Sequence, residues 1–248
     1  MKCMRALMAL LFIVSCRQPA QLQAVAPTGL MIPADVLTIR ESSHPPTRAF
    51  LHRLVVSGSK ARMSQELDRW RLFDFEVGTV TWVDDVAKTY RVQTLEELVA
   101  QRRRQLANPI PVPAATLTIR QTDETREIAG IRGKKLEMTL GGYRREIWLS
   151  DEPLISPQFL RMWVASEPIS EPRAGVSRSV QETLMSREGF PLLDRSALVW
   201  EGGSMVSRRE LMKKEKKDVP ARWLTIPADY RNTTPGTIGS ASDRRSAS

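Results

Sequence analysis

The sequence predicts an α+β fold in which short antiparallel strands outnumber helices. Three observations support this class: many segments alternate between apolar and polar residues, turn signals separate them, and two segments carry helix start signals. The clearest strand pair covers 134–140 and 143–149, on either side of Gly141 and Gly142. Because glycine reaches the positive φ angles of a two-residue loop without steric cost, this region is predicted to form a hairpin.

The loop length fixes the register of this hairpin. It places Leu136 opposite Ile147 on one face and Glu137 opposite Glu146 on the other. Two opposed glutamates are mildly unfavourable unless Lys135 and Arg144 on the diagonals compensate. The apolar face therefore needs a cover from another part of the chain.

Further strands are predicted on both sides of the hairpin. They cover 36–40, 51–57, 61–67, 72–83, 89–92, 116–120, 189–193 and 197–200. Residues 205–217 are basic and alternate poorly, which leaves this segment without an assigned element. Residues 219–230 are predicted to close the fold by packing Trp223, Leu224 and Ile226 against its body.

Two helices have recognisable start signals. Thr94 and Glu97 have the spacing of a capping box, in which each side chain accepts a hydrogen bond from the backbone N–H of the other residue. Ser156 and Pro157 are favoured at the N-cap and the first position of a second, apolar helix. Arginines at 102–104 lie near the end of the first helix, where the helix dipole favours cations, and phosphate binding is the alternative explanation.

The composition describes an ordinary globular chain with a basic balance. Of its 248 residues, 42% are apolar and 26% are charged, and the net charge is +9. A basic protein can bind nucleic acid or an anionic membrane, but these charges are dispersed and only 208–217 forms a block. A solvated helix face or strand edge is the simpler explanation of that block, and no nucleic-acid partner is predicted.

The N-terminus indicates export and lipid attachment. Residues 1–15 contain basic side chains followed by an apolar run, which is too short to span about 30 Å of hydrocarbon and is typical of a signal peptide. Residues 13–16 (IVSC) resemble a bacterial lipoprotein box, which implies cleavage before Cys16 and lipidation of its thiol. Ordinary signal cleavage near Ala24 or Ala26 is the alternative.

These signals divide the chain into four parts. We predict a signal peptide (1–15), a lipid-anchored tether (16–34), one folded domain (35–230) and a disordered tail (231–248). No cysteine follows Cys16, so the folded domain contains no disulfide framework and no cysteine-based metal site. The residue after Cys16 is not Asp, which by analogy predicts the periplasmic side of the outer membrane of a Gram-negative bacterium.

Residues that could carry catalysis are few. The chain has two histidines, His44 and His52, and a metal site would need both together with a carboxylate such as Asp35 or Glu41. Two histidines on β structure are more often structural. Motifs of metalloproteases, P-loops, dinucleotide-binding sites and serine hydrolases do not occur. We therefore predict a protein that is not an enzyme, with no catalytic residue, no metal and no cofactor.

Several short segments together resemble a known group of proteins. They are GSKARM (58–63), WVDDVAKTY (82–90), IAGIRGKKLEM (128–138), EIWLS (146–150), GFPLL (189–193) and VPARWLTIPADY (219–230). With the export signal, they resemble an uncharacterised bacterial lipoprotein domain family similar to the lipoprotein-carrier (LolA-like, LppX-like) group. The resemblance implies a curved antiparallel sheet over 35–230 that forms an incomplete β-barrel wrapped around short helices, with an apolar cavity for acyl chains.

Apolar side chains are the candidates for lining such a cavity. They are Trp82, Leu136, Met138, Trp148, Phe159, Met162 and Trp163. The alternative is that they fill the core, since apolar periodicity usually reports burial. The expected function is a cell-envelope lipoprotein that binds a lipid or another hydrophobic ligand without catalysis. The competing class is an envelope lipoprotein that acts through contacts with other proteins, which a filled core would favour.

Overall fold

The computed structural model describes residues 29–44, 47–64, 68–105, 117–167, 186 and 189–234. The predicted signal peptide, Cys16 and most of the predicted tether lie outside these residues, as does 235–248 of the predicted tail. Within the described residues, no helix is both long enough and apolar enough to cross a membrane.

Strands dominate the fold. They are β1 (Met31–His44), β2 (Arg48–Ser57), β3 (Lys60–Ser64), β4 (Arg69–Asp74), β5 (Thr79–Asp84), β6 (Thr89–Thr94), β7 (Thr118–Ile128), β8 (Ile131–Leu140), β9 (Tyr143–Ser150), β10 (Pro191–Trp200), β11 (Gly203–Pro220) and β12 (Arg231–Asn232). The helices are α1 (Leu95–Gln105), α2 (Pro157–Ser166) and a 3-10 helix at Ala221–Leu224. The short β12 thus lies at the start of the segment predicted as a tail.

All of these strands belong to one sheet, in the order β12-β6-β5-β4-β3-β2-β1-β11-β10-β9-β8-β7. Neighbouring strands are antiparallel except β12 and β6, which run parallel, so the sheet is mixed. β12 and β7 each have one neighbouring strand, and these two edges leave the sheet open.

The predicted incomplete β-barrel wrapped around short helices is therefore wrong. Over the residues that the structure describes, the fold is a large, open, mixed sheet of 12 strands with only two short α-helices. The reason lies at the middle of the sheet, where β11, 18 residues long, pairs with β1 over the whole length of β1. This pairing joins β1–β6 and β7–β10 into one continuous layer, while helices of 11 and 10 residues are too small a body for twelve strands to enclose.

β11 occupies the segment that the sequence left without an assigned element. Some of its charged side chains lie opposite residues of opposite charge on β1, as Arg209 does opposite Glu41 and Glu210 does opposite Arg40. Charge pairing across strands replaces the apolar alternation by which a strand is usually recognised. The basic block is thus neither a helix face nor a sheet edge but part of the central strand pair.

The inner face of the sheet packs against α2. Leu37 and Leu54 from the middle strands and Ile147 from β9 are buried in the same cluster as the apolar side chains of α2. Their exposed fractions are at or near zero, so this cluster is the main hydrophobic core. In this core, α2 covers the apolar face of the β8–β9 hairpin.

The outer face, on the other side of the sheet, is partly covered by the C-terminal segment. Leu224 and Ile226 pack on Trp70 of β4, and Trp223 packs beside Val36 of β1. These contacts confirm the predicted closing role of residues 219–230. They cover the outer face near β1–β5 and bury two smaller apolar clusters there.

The predicted hairpin register is confirmed. Leu136 lies opposite Ile147 and Glu137 lies opposite Glu146. Lys135 Nζ is 2.7 Å from Glu137 Oε1, which supplies part of the expected compensation. Among the described ion pairs, none joins Arg144 to either glutamate, so its expected part is not met.

The predicted helix starts are also confirmed. The Thr94 N–H donates to Glu97 Oε2 at 2.8 Å, and the Glu97 N–H donates to Thr94 Oγ1 at 3.1 Å. At α2, the Gln158 N–H donates to Ser156 Oγ at 3.2 Å and Pro157 is the first helical residue. Local sequence chemistry therefore determines where both helices begin.

Candidate functional site

The apolar residues predicted to line a cavity lie together in the main core. Leu136, Met138, Trp148, Phe159, Met162 and Trp163 are buried members of this cluster. Trp82 is half-buried at its margin, where the guanidinium of Arg91 lies 4.9 Å from the ring centroid. The structure thus brings the sequence-selected residues into one region between the sheet and α2.

Aromatic rings fill the space between α2 and the sheet. Phe159 meets Phe73 edge to face with centroids 5.0 Å apart, and it stacks on Trp163 at 5.7 Å. Trp163 in turn stacks on Phe190 at 5.8 Å. These separations are those of directly contacting aromatic rings, so side chains occupy this space.

A small cavity of about 200 Å³ lies beside β8 and β9. Its lining is mixed, with Leu136 and Leu149 supplying apolar surface and Lys134, Ser150 and Asp151 supplying polar groups. Of the predicted ligand-binding residues, Leu136 is the one that reaches it. The cavity is therefore separate from the aromatic stack around α2.

The inner face also carries a row of charged side chains that crosses neighbouring strands. We call His52, Glu41, Arg209, Asp194 and Arg145 the ionic ladder. Arg209 Nη2 donates to Glu41 Oε2 at 2.8 Å, and Arg145 Nε donates to Asp194 Oδ1 at 2.8 Å. Asp194 lies directly opposite Arg209, and His52 Nε2 is 3.3 Å from Glu41 Oε2. The ladder joins β2, β1, β11, β10 and β9 on the inner face.

A second set of charges holds the end of α2 against this ladder. Glu167, which follows α2, accepts hydrogen bonds from Arg71 Nη2 at 3.0 Å and Arg209 Nη2 at 3.3 Å. The Trp163 indole donates to the same carboxylate at 2.6 Å, and Arg71 Nη1 donates to Ser166 Oγ at 2.7 Å. Glu167 therefore connects α2 to β4 and β11.

Arg102 adds a contact between the two helices. Its guanidinium donates to the carbonyl oxygens of Ala165, at 3.1 Å, and Glu167 at the C-terminal end of α2. Burial lowers the pKa of Arg102, although the Glu167 carboxylate opposes this. The charge predicted to compensate the dipole of α1 thus binds the end of α2 instead.

Two carboxylates of this network, those of Glu41 and Glu167, are held in their charged form. The close contact of His52, whose Nε2 is 3.3 Å from Glu41 Oε2, together with the attraction of Arg209, outweighs burial and lowers the pKa of Glu41 to about 2. Burial opposes the charge of Glu167, but Arg209 and Arg71 outweigh it and hold the pKa of Glu167 below its ordinary range. Both groups remain ionised near neutral pH, so their role is to bind cations of the protein rather than to exchange protons.

The histidines that the sequence singled out have separate environments. His44 Nδ1 is 2.8 Å from Thr47 Oγ1 at the end of β1. His52 Nδ1 donates to the Ser64 carbonyl at 3.1 Å, and its other nitrogen faces Glu41. Among the described residues, no group of three or more His, Cys, Asp or Glu side chains could hold a metal ion.

Sequence reasoning missed the ionic ladder because its partners are distant in the chain. Glu41 and Arg209 are 168 residues apart, and Arg71 and Glu167 are 96 apart. Taken alone in the sequence, each of these residues would be interpreted as a charged side chain at the protein surface. The one partial signal is the 208–217 block, in which acidic residues interrupt the basic ones, but it does not identify the partners on β1, β9 and β10.

Comparison with known proteins gives little further guidance. No protein-family model and no curated protein matches the chain. Solved structures that resemble it include those titled "Structure of PNGF-II in C2 space group" and "Structure of PNGF-II in P21 space group", with TM-scores of 0.44 and 0.41 and identities of 11% and 12%. Each match covers 82% of this chain and 31% of the PNGF-II chain. At these identities and TM-scores, the structural similarity supports no conclusion about activity.

Proposed function

We propose that this chain is a non-catalytic lipoprotein of the bacterial cell envelope, anchored through Cys16, that acts through its exposed surface on other envelope components. In this proposal the folded domain holds no ligand inside. The signal for export and lipidation comes from residues 1–16, and the mode of action comes from the packing of the domain.

The packing around α2 is the observation that carries the proposal. Phe159, Met162 and Trp163 have exposed fractions of 0%, 0% and 2%. The ring of Phe73 contacts Phe159, and the ring of Phe190 contacts Trp163. The neighbouring cavity of about 200 Å³ has a mixed lining. It is smaller than pockets for drug-sized ligands, which hold about 300–1,000 Å³. Because side chains fill the core around α2, the packing favours a protein that acts through its surface.

The ionic ladder supports a structural rather than a chemical role for its charged groups. Glu41 contacts His52 and Arg209, and Asp194 contacts Arg145. A general acid or base needs a pKa near the working pH, whereas Glu41 has a pKa of about 2. The ladder therefore serves to join strands and to fix α2.

Lipid binding is the second candidate function, because the small cavity reaches Leu136 and could admit part of an acyl chain. Native mass spectrometry of the full chain carrying Cys16→Ser, before and after addition of fatty acid and phospholipid, separates the two candidates. The proposal expects the mass of the bare protein in both samples. A stoichiometric co-purifying lipid, or uptake of added lipid, would overturn surface action as the principal role.

The proposed lipid attachment at Cys16 is tested in a separate experiment. Cells expressing the wild-type chain are grown with radioactive palmitate, and the labelled protein is recovered in the membrane fraction. Cys16→Ser is expected to abolish both labelling and membrane recovery, while the matched control Cys3→Ser leaves both unchanged. Equal labelling of Cys16→Ser and the wild type would contradict lipidation at this position.

A further inference from the structure

The outer face of the middle strands carries a concentration of arginines. Because Arg209 faces α2, its neighbour Arg208 points to the outer face, and the strand register places Arg195 directly opposite Arg208. Arg40 and Arg144 lie on the same face, on β1 and β9, by the same register. We call Arg40, Arg144, Arg195 and Arg208 the basic outer face.

The protein compensates these arginines only in part. Arg195 and Arg208 lie directly opposite each other, which is unfavourable for like charges. Glu210 is shared, since its Oε2 lies 2.9 Å from both Arg40 and Arg208. On β9, Glu146 lies directly opposite Arg195, but within the described residues neither Arg144 nor Arg195 forms an ion pair. Two carboxylates therefore lie beside four arginines, and the face keeps a positive charge.

Exposed apolar side chains flank the basic outer face. Leu51 of β2, directly opposite Arg40, is 69% exposed, and Val199 of β10, on the same face as Arg195, is 60% exposed. The C-terminal segment covers the outer face elsewhere, around Trp70 and Val36, and no contact of it with this part is present among the described residues. Cations with apolar neighbours on one face match a bilayer surface, where headgroup phosphates meet acyl chains.

We propose that the basic outer face binds the anionic headgroups of a phospholipid bilayer. The arginines bind phosphate oxygens, which the guanidinium group recognises with paired N–H donors. Leu51 and Val199 enter the boundary between headgroups and acyl chains. A soluble polyanion offers charge but no apolar region, so the exposed apolar residues favour a membrane. The inference rests on the proposed envelope location only for its biological setting, because the binding itself is independent of Cys16.

Vesicle co-sedimentation tests this proposal. The full chain carrying Cys16→Ser is mixed with vesicles of phosphatidylcholine alone or with 30% phosphatidylglycerol. We expect binding at least about tenfold stronger to the anionic vesicles, and a loss of most of this preference when the salt concentration is raised. The N-terminal segment, with Lys2 and Arg5, is identical in all variants, so differences between variants in the preference for anionic vesicles report the contribution of the sheet face.

Two double variants locate the binding surface. Arg195→Glu with Arg208→Glu is expected to abolish the preference for anionic vesicles. Arg103→Glu with Arg104→Glu changes the net charge equally on exposed positions of α1 and should retain most of the preference. Equal loss in both double variants would overturn the proposal, because it would mean that net charge alone drives binding. If the first variant does not fold, Arg144→Gln with Arg195→Gln tests the same face at exposed positions.

A third variant separates a bilayer from a soluble anion. Leu51→Ser should weaken binding to anionic vesicles several-fold while leaving binding to soluble polyphosphate unchanged. Binding to polyphosphate without binding to vesicles would contradict a membrane partner, as would vesicle binding that Leu51→Ser does not alter. Failure of these tests would leave the lipidation test at Cys16 untouched, so the two proposals can fail separately.

Discussion

Arg71 and Glu167 form a salt bridge of 3.0 Å between β4 and the end of α2, and the Arg71 side chain is only 1% exposed. Arg71 also donates to Ser166 Oγ, so one guanidinium holds the last turn of the helix. A buried cation needs several partners to offset its loss of hydration. This contact therefore fixes α2 on the inner face of the sheet.

Replacing Arg71 by Met should strongly destabilise the protein. The substitution keeps an unbranched side chain but leaves Glu167 without one of its cations, and breaking a buried pair typically costs about 3–5 kcal/mol. Urea unfolding followed by tryptophan fluorescence measures the change. The matched control is Arg69→Met, since Arg69 pairs with Asp84 at the surface and should lose no more than about 1 kcal/mol. An equal loss of unfolding free energy in both variants would mean that the Arg71 contact stabilises the fold no more than a surface ion pair does.

The stability of the fold should fall in acid through Glu41. Its pKa is about 2 in the folded protein against an ordinary value of 4.5, so the folded state favours the charged form. The stabilisation is present above pH 4.5 and is lost as the pH falls towards 2. Glu41→Gln should lower stability at neutral pH and flatten the decline in this range. Unfolding curves at several pH values test this, with Glu96→Gln on exposed α1 as the control; an unchanged slope for Glu41→Gln would contradict it.

Phe159→Ala should open a void at the centre of the core. Phe159 is fully buried and contacts Phe73 and Trp163, so its removal is expected to cost about 3–5 kcal/mol. Leu51→Ala is the control, because this exposed residue should change the free energy of unfolding by less than about 0.5 kcal/mol. A cost below about 1 kcal/mol for Phe159→Ala would show that the ring lines free space rather than a packed core.

Gly142→Ala should loosen the hairpin turn from β10. A Cβ at this position would lie 2.2 Å from the Val199 carbonyl oxygen, whose residue also donates its N–H to Gly142 O at 3.0 Å. The backbone must move apart, at a cost of about 1–3 kcal/mol. Hydrogen exchange of the Val199 amide should accelerate in Gly142→Ala and not in Thr139→Ala, an exposed change on the adjacent strand. Unaltered exchange would contradict the close approach.

Features determined by neighbouring residues could be predicted from the sequence. The loop at Gly141 fixed the register of β8 and β9, and the Thr94–Glu97 capping box marked the start of α1. Each depends on residues a few positions apart, whose chemistry leaves few conformations open. The burial of Phe159 and Trp163 likewise followed from the apolar pattern of α2.

Features determined by distant residues could not be predicted in this way. β11 has no apolar alternation, because Glu41 and its other partners on β1 satisfy its charges. The prediction did not include β11 as the central strand. The resemblance to lipoprotein carriers therefore suggested an incomplete barrel, whereas the fold is an open sheet. The opposition of Arg195 and Arg208 is likewise invisible until the pairing of β10 with β11 is known.

The pairing of β1 with β11 also constrains the order in which the protein can fold. During synthesis β1 emerges early, but its partner Arg209 follows Glu41 by 168 residues. The centre of the sheet can therefore close only when the residues between these two strands have been made, and such distant contacts form slowly. Until β11 is available, β1 lacks one of its two neighbouring strands, and the two halves of the sheet remain unjoined.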